Sequence, residues 1–227
     1  VITKSGQEEY HGEFNVTFRD ARLNARNAFA LTRPPEQRRI FEGALSGPIR
    51  GKTTSFLLSV NREETDSQAI VFAATPSGTF QANVPTPQRN IELSGTVTQA
   101  IGKKQTLSLR ATYQYEAATN EGVGGTSLPE AASSSSDREE EIIFSHQVVF
   151  GKKLVNQFRL LLGHDRQPTV SLTQAPGIDV NDAFSGGGAQ SDQVESETHV
   201  TLNDTLTWSS PRHLVKAGFA IPDWSRR

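Results

Sequence analysis

At 227 residues and a formal net charge of −2, the chain is near neutral, which excludes the basic footprint of a general nucleic-acid binder. It contains no cysteine, so no disulfide framework, thiolate chemistry or cysteine metal site can form. Only 35% of the residues are hydrophobic, and runs such as Leu160-Leu161-Leu162 fall far short of the roughly 18 residues of a spanning helix. Methionine is absent and residue 1 is Val1, so a processed chain or an excerpt is expected.

The dominant pattern is a period of two. Over 10–18, Tyr10, Gly12, Phe14, Val16 and Phe18 point one way and His11, Glu13, Asn15 and Thr17 the other, as a strand with one apolar and one polar face requires. The pattern returns over 41–47 and 55–61, with Leu57 out of phase, and over 91–98. It is cleanest over 107–116, where Leu107, Leu109, Ala111, Tyr113 and Tyr115 oppose Ser108, Arg110, Thr112, Gln114 and Glu116. Ile142, Phe144, Val148 and Phe150 form a sixth face, interrupted by His146; Phe158, Leu160 and Leu162 form a seventh, with Leu161 out of phase. Val200, Leu202, Leu206 and Trp208 make the eighth, and Val215, Ala217, Phe219 and Ile221 the ninth.

The connections alternate. Short turns of Gly, Pro or Ser chemistry at 47–52, 101–104, 151–153 and 209–212 alternate with long stretches at 20–38, 63–88, 117–137 and 166–195. A soluble sandwich has no reason to keep that alternation, whereas an outer-membrane barrel does, with short periplasmic turns and long outer loops. The expected fold is therefore all-β: an antiparallel up-and-down meander forming a partial transmembrane β-barrel, about nine strands of a larger one. Strands of about 9–11 residues suit a tilted crossing. The polar faces, with Glu13, Arg110, Gln114, Arg159 and Asn203, should line a wet interior.

No chemical motif survives inspection. Gly51-Lys52-Thr53 looks like the end of a phosphate-binding loop, but Ser46 stands where that loop needs glycine and no helix follows, so a hairpin turn is the reading. His11, His146, His164, His199 and His213 lack metal-site spacing, and no Ser, His and Asp residues are spaced as a nucleophile elbow or triad. The run Asp137 to Glu141 reads as a solvated loop base, and Ser133 to Ser136 and Gly186-Gly187-Gly188 as flexible loop tips. Arg22, Arg26, Arg33, Arg38 and Arg39 make the first long loop basic, able to touch lipopolysaccharide or a ligand. Catalytic, cofactor-binding and metal residues are each expected to be none, substrate-binding residues are unknown, and the chain is expected not to be an enzyme.

Val1 to Gly6 followed by Tyr10-His11-Gly12 resembles the junction where the plug of a TonB-dependent receptor ends and its barrel starts. Leu23 to Phe29, Gly43 to Pro48, and Gly218 to Arg227 with Ile221-Pro222-Asp223-Trp224-Ser225-Arg226-Arg227 at its end, resemble the Oar-like branch of that family. The resemblance implies a plugged barrel of about 22 strands, a carboxypeptidase-regulatory-like domain in the parent protein, and uptake of a large solute driven through TonB. It divides the chain into 1–9, the end of the plug or a linker, and 10–227, the N-terminal part of the barrel. Implied partners are outer-membrane lipid and lipopolysaccharide, TonB through a plug segment outside the chain, and an unknown large solute, with no nucleic acid and no cofactor. The rival reading is a soluble β-rich carbohydrate-binding or adhesion module, whose apolar faces would pack against each other.

Overall fold

The computed structural model describes residues 9–23, 25, 32 and 35–226. Val1 to Gly6, most of Leu23 to Phe29, Arg33 and Arg227 lie outside them. The elements in chain order are β1 (His11–Asp20), β2 (Gln37–Arg50), β3 (Thr54–Asp66), β4 (Gln68–Thr75), β5 (Gly78–Pro85), β6 (Gln88–Ile101), β7 (Gln105–Glu121), β8 (Ser133–Phe150), β9 (Leu154–Ser171), β10 (Ile178–Val180), β11 (Phe184–Gly186), β12 (Gln193–Ser209) and β13 (Leu214–Arg226). Nine of them form one antiparallel sheet in the order β1-β2-β3-β6-β7-β8-β9-β12-β13, the expected meander, and the sheet is not closed.

Each of the nine alternating segments falls within one strand of this sheet, except that Tyr10 of the first precedes β1. The turns at 51–53, 102–104 and 151–153 each open on a glycine in the left-handed region, with φ of 51° at Gly51, 61° at Gly102 and 65° at Gly151. Gly51-Lys52-Thr53 is thus a hairpin turn.

The register aligns the alternation across strands. One row runs Phe14, Gly43, Val60, Leu93, Tyr113, Glu140, His164, Thr198. This face stays uncovered: Phe14 is 68% exposed, Leu58 51%, Leu109 51% and Phe219 62%. Apolar side chains left in the open over a whole sheet face are a surface for lipid, not a core. The apolar stretch also slides along the rows. It centres on Phe14 in β1, but in β12 it centres on Asp204, six residues beyond Thr198 of the same row. Six residues, about 20 Å, over seven strand spacings of about 4.8 Å give a strand tilt of roughly 30° to the band, near the tilt of membrane barrels.

Two expectations need correcting. The strands outgrow the 9–11 residues of a crossing: β8 and β9 each have 18. Ser133 to Ser136 and Asp137 to Glu141 are therefore strand, not loop tip or loop base, because β7 and β9 pair with them on both sides. The long connections are also structured. β4 and β5 form a hairpin, β10 and β11 a second, and residues 122–132 thread between them. Val71, Ala73 and Leu128 are buried there, with Val84, Val123 and Phe184 packed against them, the hydrophobic core among the described residues. Backbone bonds join the pieces: Phe72 N–H donates to Gly125 O (2.7 Å), Leu128 N–H to Ser185 O (2.8 Å) and Leu172 N–H to Ala132 O (2.8 Å). Gly186, Gly187 and Gly188 are buried in this cap, since backbone carbonyls of Thr173, Ala175 and Pro176 occupy the space a side chain would need at Gly187 and Gly188.

Candidate solute-facing surface

The opposite face of the sheet carries the polar half of the alternation. One row reads Asn15, Glu42, Asn61, Glu92, Gln114, Glu139, Asp165, Glu197 across eight strands, five carboxylates and three amides. Glu63, Asn90 and Glu116 continue in the next row toward the long loops. Glu13, Arg110, Gln114, Arg159 and Asn203 all share this face, as the alternation predicts. The out-of-phase Leu57 and Leu161 lie in one row of it with Ile143, an apolar interruption at the level of Arg110.

At the long-loop ends of the strands, beside the base of the cap, this face holds a cavity of about 400 Å³. Glu63, Glu116, Glu121 and Asp137 line it together with amides and hydroxyls of Asn90, Gln167 and Thr169. Arg38 grips Glu63 through two bonds, 2.7 and 3.0 Å. Glu116 accepts from Asn90 (2.7 Å) and Gln114 (3.2 Å), and Glu121 from the Ser135 hydroxyl. Asp137 accepts from Gln167 at 3.0 Å through one oxygen, while its other oxygen is buried with no partner. Deeper in the face, His199 Nε2 lies 3.4 Å from Asp165. The surface is acceptor-rich, suited to hydroxyl, amide or cationic donors.

The remaining sequence candidates scatter. Arg38 and Arg39, adjacent in the chain, project to opposite faces, and both are ion-paired: Arg39 with Asp66 (2.8 Å) and Glu64 (3.1 Å). Arg22 is exposed, and Arg26 and Arg33 lie outside the described residues. His11 and His199 share the polar face, His146 and His164 the apolar one, and His213 sits in the last short turn. His146, odd on an apolar face, belongs to a polar fringe at the short-turn end, within 3.4 Å of Gln105. Among the described residues no three His, Asp or Glu side chains are placed to hold a metal. Two features were missed in the sequence. The β4–β5 hairpin had a signal, the Pro76-Ser77-Gly78 turn between two β-prone runs. The carboxylate row had none, because its members come from different strands and meet only through register.

A tilted antiparallel meander with an apolar face left open, a polar face behind it and structured loops at one end defines a transmembrane β-barrel wall. The family of the outer membrane beta barrel domain matches residues 62–226, and the chain belongs to it. That places the protein in the outer membrane of Gram-negative bacteria. Comparisons with characterised proteins and with solved structures gave no match.

Proposed function

We propose that the chain is wall and outer loops of a TonB-dependent transporter of the Oar-like branch, admitting a large solute such as an oligosaccharide or a peptide by energy-dependent uptake. The observation that carries it is the polar cavity beside the loop cap, on the face turned from lipid, where an incoming solute would first be held. The resemblance of residues 1–6 and 10–12 to a plug-to-barrel junction supplies the coupling to TonB. The role is non-catalytic, and the contacts are outer-leaflet lipid and lipopolysaccharide outside and the solute inside, with no nucleic acid. The soluble-module reading requires the apolar sheet face to be covered, and that face is open.

The test is to titrate the purified periplasmic domain of TonB onto the full-length protein in nanodiscs. A saturable complex supports the reading. Absence of a complex overturns the TonB coupling and leaves a passive pore or an adhesin.

A further inference from the structure

On the lipid side, just beyond the apolar band, most charges are balanced within the sheet. Arg39 meets Glu64 and Asp66, Arg89 meets Asp66 at 2.5 Å, and Arg62 meets Glu64. One place departs from this. Arg138 of β8 and Arg166 of β9 are direct register partners, two like charges side by side on the same face. Directly opposed like charges on neighbouring strands repel. Glu140, in the next row, engages Arg138, whereas the guanidinium of Arg166 is exposed and has no side-chain partner among the described residues. The groups facing the pair from either side are Tyr115 on β7 and Ser196 on β12, neither of them anionic. Below lie Tyr113, over whose ring Arg138 sits at 5.8 Å, and His164, hydrogen-bonded to Thr198 at 3.0 Å. Tyrosines at the edge of an apolar band mark the level of lipid headgroups.

We infer that Arg138 and Arg166 form a binding site for the phosphate of an acidic glycolipid in the outer leaflet. A phosphate between the two guanidinium groups removes their repulsion and takes charge-assisted, two-pronged hydrogen bonds from both. The acyl chains then run down the exposed Ile142 and Leu162, the next apolar row beyond Glu140 and His164. The inference deepens the proposed lipid contact and rests on it. It also moves the anion site from the first long loop, whose Arg38 and Arg39 are already paired, to the middle of the wall.

The test uses the full-length protein in detergent, titrated with bisphosphorylated lipid A and read by native mass spectrometry. The same lipid stripped of its phosphates and inorganic phosphate alone serve as the other arms. The expected result is selective retention of the phosphorylated lipid, weakened about fivefold by Arg166→Gln and by Arg138→Gln and unchanged by Arg62→Gln. Equal retention of the two lipids, wild-type retention by Arg166→Gln, or displacement of the lipid by inorganic phosphate each overturns the site. Retention of neither lipid also overturns the lipid contact on which it rests.

Discussion

Gly163 shows how a single missing methyl group organises the polar face. It is the register partner of His199, and the imidazole lies over its Cα where a Cβ would stand. That placement aims Nε2 at Asp165, 3.4 Å away. Gly163→Ala should displace the ring and cost about 1–3 kcal/mol, measured by denaturant unfolding in detergent. Most of that cost should vanish in a His199→Ala background, because the clash is with the ring. Asp192 gives a pH-dependent counterpart outside the membrane. The Ser171 backbone N–H, then the Gln174 amide, then the Ser171 side chain hold its carboxyl below the ordinary value. Its contribution is therefore complete above the usual carboxylate range and is lost as pH falls through the depressed folded value. Hydrogen exchange of residues 171–192, corrected for intrinsic rate, should rise as pH falls below the ordinary carboxylate range and be flat above it. Asp192→Asn should abolish the step; a step that persists in that variant would place the titrating group elsewhere.

At the level of elements, the cap is the part of the molecule with a core of its own. Val71 is fully buried between the β4–β5 hairpin and residues 122–132. Val71→Ala removes two methyl groups and should cost about 2 kcal/mol locally. Exchange should then accelerate together in 68–85, 124–128 and 178–188, while the 142–162 hairpin of β8 and β9 stays protected. Acceleration in the first segment alone would mean that the loops move independently. The contrast between wall and cap explains what could be read in the sequence. A strand such as 107–116 separates lipid from water residue by residue, so the period of two writes its face directly. The cap obeys no such partition. Its residues pack through contacts between three separate loops, and Gly186 to Gly188 look like a flexible tip until the carbonyls of Thr173, Ala175 and Pro176 are seen around them. Likewise, Ser133 to Ser136 become strand only because β7 and β9 offer partners. The carboxylate row and the Arg138–Arg166 pair depend on register, a relation between strands that no single segment records.

For the whole molecule, the slanting apolar band and the open edges point the same way. β1 and β13 end the sheet, and hydrocarbon leaves no edge N–H or C=O a partner. We propose that further strands close the wall against both. Orientation follows from the asymmetry between its two ends. The short-turn end carries three hairpins of Gly-Lys composition, while the other end carries the cap, the polar cavity and the Arg138–Arg166 pair. If the cap faces outward, Ser77, in the turn between β4 and β5, lies outside the cell and Lys103 lies in the periplasm. None of the 227 residues is cysteine, so single cysteines placed among them are read against the same protein without the added cysteine. Ser77→Cys should react with a membrane-impermeant maleimide in intact cells, and Lys103→Cys only after the outer membrane is permeabilised. The reverse pattern would turn the cavity toward the periplasm, where it could not meet an incoming solute first, and the uptake reading would fall while the barrel stood.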